Sequence, residues 1–272
     1  MTAPEPLLID TFSVDVPGGR LHGEATGAGA AVVLLHAFGC DRSMWDPQFT
    51  AFAGRHRPVR YDMRGFGASA APIAGAGHVA DLLAVLDALG IARAHLVGLS
   101  LGGNVALAAA VEAPDRVAGV VLCSPGLPGH RWTTPRPPDE AADIARREGI
   151  PAARTFWLQH PLFEPTRAHP SAYRTLVSMV ERFAGEPWRD QAAVEPLAPL
   201  NDRLGAVTAP MLVINGEQDL DGYREIGRAI HRQAPHAEHH EIAGAGHLVN
   251  LEQPDAFNRL TGRFLNELDQ HH

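Results

Sequence analysis

Residues 94–113 read AHLVGLSLGGNVALAAAVEA, and the rest of the chain is organised around this stretch. It opens with a short apolar run, Ala94-His95-Leu96-Val97, of the kind that fills a buried parallel strand. It closes with the alanine-rich segment from Asn104 to Ala113, which has high helix propensity. The join is Gly98-Leu99-Ser100-Leu101-Gly102, a G-x-S-x-G spacing. A strand that turns directly into a helix strains the backbone of the residue at the apex and pushes its side chain out of the sheet. Positions two residues to either side must then be small, or their Cβ atoms collide with the turn. Gly98 and Gly102 meet that demand, and Gly103 lets the helix lie close to the sheet. The Ser100 hydroxyl is therefore expected to stand exposed at a helix N-terminus, where partial positive charge favours a developing anion. Ser100 is the candidate nucleophile.

Outward from this centre, strand and helix patterns alternate. Residues 12–16 alternate like a half-buried strand, Pro17-Gly18-Gly19 is a turn, and residues 20–26 return as a hairpin partner. Residues 31–36 (AVVLLH), 57–62, 117–123, 211–215 (MLVIN) and 237–242 read as further strands, and residues 45–52, 79–89, 223–233 and 255–268 as helices. An antiparallel start followed by repeated strand–helix units predicts an α/β fold: a mostly parallel, doubly wound sheet of about eight strands with helices on both faces. The rhythm breaks between residues 126 and 205, where three helical patterns (139–148, 152–159 and 171–184) are separated by proline-rich connectors. This predicts a helical insertion, residues 126–205, after the sixth strand, with residues 1–125 and 206–270 as the core. The insertion carries Trp132, Phe156, Trp157, Phe163 and Trp188. Such rings either cap a pocket, with Trp132, Phe156, Trp157 and Trp188 lining it, or glue the insertion to the sheet. Its arginines, among them Arg131, Arg154 and Arg174, either bind a substrate carboxylate or solvate the surface.

A length of 272 residues suffices for one large core plus an insertion, and 45% hydrophobic with 20% charged residues describes an ordinary globular protein. The formal net charge of −8 argues against nucleic acid or an anionic membrane as partner. All basic residues other than histidine are arginine. Cys40 and Cys123 are too few for a disulfide framework and sit in no metal-spacing motif. The start MTAPEPLLID has neither a basic n-region nor an apolar h-region, and no stretch approaches the length of a membrane span, so a cytoplasmic protein is expected. His271 and His272 are read as a possible tag remnant. Nothing in the sequence points to an oligomeric state.

A serine hydroxyl is a poor nucleophile unless a base takes its proton, a service worth roughly 10²–10⁴ in rate. The best candidate base is His247 in Gly244-Ala245-Gly246-His247, a glycine-bearing loop after the last strand. His56, His231, His236 and His239 lie in arginine-rich or helical surface context and are read as solvated; His240 falls inside the strand. The orienting carboxylate should follow the preceding strand, where Gly216-Glu217-Gln218-Asp219 lies. Asp219 is the candidate acid, and Asp221, before Gly222 and a helix, reads as an N-cap or turn residue. The chain order Ser100, Asp219, His247 is that expected for this architecture. Two backbone amides should hold the oxyanion: Leu101, following the nucleophile, and Phe38 in the His36-Ala37-Phe38-Gly39 loop. The His36 side chain is read as a structural hydrogen-bonding group.

Taken together, HAFG at His36, the Asp-x-Arg-Gly-x-Gly-x-Ser run at Asp62, GLSLGG at Gly98, Pro114-Asp115-Arg116-Val117, GEQD at Gly216 and GAGH at Gly244 resemble the α/β-hydrolase superfamily over nearly the whole chain outside the insertion. Ser43-Met44-Trp45-Asp46-Pro47-Gln48, GLSLGG and HLVNLEQPDAF from His247 resemble its 3-oxoadipate enol-lactonase and small-esterase branch. Two departures stand out: Leu220-Asp221-Gly222-Tyr223 replaces the usual small turn after the acid, and His36-Ala37 replaces the more frequent His-Gly. The resemblance implies a serine hydrolase acting on a small ester or lactone through an acyl-enzyme, with no metal and no organic cofactor. A carbon–carbon bond hydrolase and a cofactor-free perhydrolase would use the same triad, and a small-molecule receptor is the alternative from another class.

Overall fold

The computed structural model describes residues 7–190 and 194–270; His271 and His272 lie outside the described residues. Runs of branched apolar residues form its centre, where β-branched side chains pack well on both faces of a pleated sheet. In chain order the strands are β1 (Ile9–Val16), β2 (Gly19–Thr26), β3 (Ala31–Leu35), β4 (Arg57–Tyr61), β5 (Ala94–Leu99), β6 (Val117–Cys123), β7 (Met211–Gly216) and β8 (Ala237–Ile242). Among the described residues they form one eight-stranded sheet in the order β1-β2-β4-β3-β5-β6-β7-β8. The β1–β2 and β2–β4 pairs are antiparallel and the others parallel. Every residue of β3, β5 and β7 is buried, as expected where helices cover both faces.

The core helices are α1 (Asp46–Phe52), α2 (His78–Ala88) and α3 (Leu101–Glu112). Between β6 and β7 run α4 (Pro137–Glu148), α5 (Ile150–Gln159), α6 (Glu164–Arg167), α7 (Pro170–Arg182) and α8 (Glu186–Arg189), and the chain ends through α9 (Asp221–Gln233), α10 (Val249–Glu252) and α11 (Pro254–Asp269). Each of α4 to α8 carries proline in its first turn. Proline is preset for that position and lacks only an N–H the helix leaves unpaired, so the proline-rich sequence yields several short helices instead of a loop. None of the helices among the described residues is long and apolar enough to cross a membrane.

The strand order fixes where chemistry can occur. The chain passes from β3 outward to β4, then crosses back to β5 on the other side of β3. The loops leaving the carboxyl ends of β3 and β5 therefore diverge and open a crevice, the usual ligand position in open α/β sheets. The loops after β7 and β8 emerge at the same edge, because these strands are parallel to β5.

Two histidines read as solvated differ from that reading: His239 is half-buried in β8, its Nε2 3.1 Å from Asn215 Oδ1, and His56 is buried. His56, expected in solvent, is 2% exposed, with its Nε2 3.1 Å from Asp269 Oδ2. His95 Nε2 lies 2.9 Å from the other oxygen of the same carboxylate. The partner is contributed by the end of α11, far along the chain, and the arginines flanking His56 disguise its burial.

Candidate active site

Ser100 sits between β5 and α3 with φ 52° and ψ −108°, a left-handed conformation that L-residues avoid unless the surroundings impose it. The turn is pinned from both sides: the Ser100 N–H donates to the Cys123 carbonyl at 2.9 Å, and the Asn104 N–H donates to the Ser100 carbonyl at 3.0 Å. A Cβ on Gly98 would lie 2.2 Å from the Gly102 carbonyl oxygen, and one on Gly102 would lie 2.1 Å from the Leu35 carbonyl oxygen. Both contacts are with backbone, which has no side chain to swing aside. The G-x-S-x-G spacing is thus a steric requirement of this turn.

Asp219 and His247 meet on the far side of β6. His247 Nδ1 is 3.1 Å from each Asp219 carboxylate oxygen, and the two residues are 2% and 5% exposed respectively. Asp219 Oδ1 also accepts from the Leu220 N–H at 2.8 Å, which fixes the carboxylate. The two loops are sewn together: Gln218 N–H donates to the Ala245 carbonyl at 2.8 Å, and Gly244 N–H to Glu217 Oε2 at 3.1 Å. Gly216 permits this approach, since a Cβ there would lie 2.1 Å from the Gly246 carbonyl oxygen. Below the histidine, buried Glu252 of α10 accepts from Thr166 Oγ1 of α6 at 2.6 Å and from the Leu248 N–H at 3.2 Å, and also from the Gly246 N–H. Asp221 is the first residue of α9, and its side chain is 91% exposed. It does not serve as the N-cap expected of it; Leu220 occupies that position without a side-chain cap.

Tyr223, in the first turn of α9, links these groups, and the sequence reading missed it. Its ring lies 4.4 Å from the His247 ring and 5.0 Å from Trp132, and it lines the same cavity as Ser100. Burial, reinforced by the Asp219 charge, pushes the phenol above its ordinary value. The signal was present in the departure Leu220-Asp221-Gly222-Tyr223. Gly222 is small enough for Trp132 to reach the Tyr223 ring, since a Cβ would lie 2.8 Å from the indole.

The loop after β3 brings Phe38 to the same place. His36 is fully buried; its Nδ1 donates to the Ala37 carbonyl and its Nε2 accepts from the Met63 N–H, both at 2.9 Å. This bonding fixes the neutral ring, and burial holds it below the usual histidine range. Two residues of the Asp62 run, Asp62 and Arg64, brace the fold. Asp62 accepts from the Arg42 and Ala68 amides, and Arg64 makes a buried paired contact with Asp81 at 2.7 and 2.8 Å.

Ser100, Leu101, Phe38 and Tyr223 line one cavity of about 420 Å³, closed on other sides by Phe66 and Trp132. Arg136 also faces it, engaged by Asp139 through two hydrogen bonds of 2.7 Å. Two polar atoms at its wall, His78 Nδ1 and Asn104 Oδ1, have no hydrogen-bond partner among the described residues. Of the four aromatics expected to line a pocket, Trp132 does so. Trp157 and Trp188 instead form a layer behind the wall, 5.9 and 6.2 Å from Phe38, while half-buried Phe156 packs on His160 at 5.6 Å. Helical periodicity marks these rings as inward-facing but does not distinguish a lining ring from one a layer deeper.

The profile of the Alpha/beta hydrolase family matches residues 32–260. An enol-lactonase from Burkholderia xenovorans LB400 superposes with a TM-score of 0.82 at 29% identity, covering 93% of this chain and 99% of that one. A thermophilic esterase from Thermogutta terrifontis gives a TM-score of 0.82 at 28% identity, over 95% and 99% of the two chains. A 2-hydroxy-6-oxononadienedioate/2-hydroxy-6-oxononatrienedioate hydrolase from Burkholderia vietnamiensis is 30% identical, covering 90% of this chain and 91% of the relative.

Proposed function

The chain belongs to the alpha/beta hydrolase family, and within it we propose that the molecule is a serine hydrolase that cleaves a small carboxylic ester or lactone. One observation carries this reading: a serine held at φ 52° on the lip of a cavity, which it shares with a tyrosine whose ring lies 4.4 Å from a buried, carboxylate-oriented histidine. Ser100 Oγ attacks the substrate carbonyl carbon, and His247 Nε2 takes its proton. Asp219 holds Nδ1, which leaves Nε2 as the basic nitrogen and stabilises the imidazolium once formed. The oxyanion is held by the Phe38 and Leu101 amides; Leu101 opens α3, where a helix leaves its N–H without an internal acceptor. Collapse of the intermediate expels an alkoxide, which takes the proton from His247. Water, deprotonated by the same histidine, then hydrolyses the acyl-enzyme and restores Ser100.

Residues 126–205 act as a cap in this reading. The segment supplies Trp132 and Arg136 to the cavity and is tied to the core by the Thr166–Glu252 hydrogen bond and an Arg182–Asp41 ion pair at 2.7 Å. The small lactone or ester as substrate is supported by likeness to an enol-lactonase and an esterase over nearly the whole chain.

A second reading draws on the dienedioate hydrolase relative, whose named substrate contains no ester, so that its hydrolysis breaks a carbon–carbon bond. Specificity constants separate the two. Short-chain esters and small lactones are expected to be hydrolysed far faster than ring-cleaved aromatic diketones, and the reverse order overturns the ester assignment. Ser100→Ala is expected to fold normally while losing esterase activity and labelling by a fluorophosphonate probe. Unchanged turnover, or labelling at another residue, overturns the serine mechanism.

A further inference from the structure

Tyr223 lines the cavity with Ser100, in a place that the triad and the oxyanion amides leave unassigned. Phe38 reaches the cavity from the loop after β3, on one side of β5. Tyr223 comes from α9, after β7, and so approaches Ser100 from the opposite side, the side on which His247 lies. An acyl-transfer site divides its space in the same way. The carbonyl oxygen turns toward the amides, and the leaving oxygen departs toward the histidine that will protonate it.

We propose that Tyr223 is a further catalytic residue, whose hydroxyl donates a hydrogen bond to the leaving-group oxygen as the carbon–oxygen bond breaks. The inference rests on the serine-hydrolase reading given above. The bookkeeping of protons is unchanged: the leaving alkoxide receives its proton from His247, and Tyr223 contributes a hydrogen bond while keeping its own. Three features equip it for that task. The ring is 4% exposed and wedged between His247 and Trp132, so the hydroxyl position is fixed before substrate arrives. The first turn of α9 is anchored to the sheet by Asn215 Nδ2 of β7, which donates to the Tyr223 carbonyl at 3.2 Å. Burial favours the neutral phenol, which therefore remains a donor.

A group that assists departure matters most when the leaving oxygen is strongly basic. The test is Tyr223→Phe, which keeps the ring contacts with His247 and Trp132 and removes only the oxygen. Its kcat/KM is measured on ethyl acetate and on p-nitrophenyl acetate, two substrates that pass through the same acetyl-enzyme, so their difference reports bond cleavage in acylation. The expected result is a roughly 10- to 100-fold loss on the ethyl ester, the value of one hydrogen bond to developing charge. On the nitrophenyl ester, whose leaving group needs no assistance, the loss is expected to stay within about threefold. Equal losses on both esters would mark Tyr223 as a packing residue, and no loss on the ethyl ester would remove it from the reaction; either overturns the proposal. Ser100→Ala runs alongside. If that variant keeps turning over, the serine reading itself fails, whereas an inactive Ser100→Ala with equal Tyr223→Phe losses rejects only the role of the tyrosine.

Discussion

Asp219 and Asp221 stand two residues apart after β7 and occupy opposite environments. One is 5% exposed and bonded to His247; the other has a side chain 91% exposed, with Arg224 at 3.7 Å. Replacing Asp219 by Asn leaves a donor where His247 Nδ1 needs an acceptor, which favours the wrong tautomer. Asp219→Asn is therefore expected to lose kcat by up to roughly 10⁴-fold with little change in KM. Asp221→Asn is expected to leave both the kinetics and the midpoint of thermal unfolding where they are. Steady-state assays and a melting curve on the two variants check this, and exchanged phenotypes would move the acid to Asp221. The order Ser, Asp, His along the chain made the meeting of Asp219 and His247 readable, because each follows a parallel strand and must surface at one edge. Tyr223 was not readable in that way. Whether a ring in the first turn of a helix points at a neighbouring loop depends on how the helix is rotated, and Gly222 and Asn215 set that rotation through contacts distant in sequence.

At the scale of the element, the turn from β5 to α3 was fully legible, since its glycines answer a clash between atoms a few residues apart. Gly102→Ala would drive a Cβ to 2.1 Å from the Leu35 carbonyl oxygen, so β3 and α3 must separate. A loss of about 3 kcal/mol or failure to accumulate as soluble protein is expected, at the upper end of overpacking costs, and urea unfolding measures it. The loop that carries His247 depends on a different device. Glu252 collects hydrogen bonds from Gly246, Leu248 and Thr166, joining α10, the histidine loop and α6 in one buried carboxylate. Glu252→Gln turns one acceptor into a donor facing an N–H or hydroxyl, and should cost about 1–3 kcal/mol in urea unfolding. Its kcat is expected to fall with it, since Gly246 adjoins His247. The fate of the aromatics between β6 and β7 was less legible. Apolar spacing determines that Trp157 and Trp188 turn inward, but which ring meets the cavity is decided by how short helices stack, and sequence periodicity carries no information on that.

Across the whole molecule, buried neutral histidines set a limit on acid tolerance. Burial holds the His78 ring down to about 4, and His36, His56 and His95 are displaced in the same direction by the same cause. A depressed folded value means that unfolded chains bind more protons than folded ones between the ordinary value of 6.5 and about 4. Stability should therefore be flat above 6.5 and decline as the pH falls through that window, His78 alone accounting for on the order of 3 kcal/mol. Urea unfolding at pH 7, 5.5 and 4.5 tests the slope, and His78→Asn should flatten it even if the variant is weaker at neutral pH. The chain's long detour has a further consequence. It leaves the sheet at Cys123, the end of β6, and rejoins at Met211, the start of β7; the parallel register pairs Val120 with Met211 and Cys123 with Ile214, so the sheet holds the two ends at a fixed separation whatever lies between. The entropy of closing a loop between fixed ends grows only logarithmically, by about 0.6 kcal/mol for each doubling in length. Residues 124–210 can therefore lengthen, shorten or be exchanged for another set of helices with little penalty to the sheet. In a lineage of such molecules the range of substrates admitted is free to drift by insertion and deletion, while the proposed triad stays anchored to strand ends as long as the Thr166–Glu252 tie behind the His247 loop is kept.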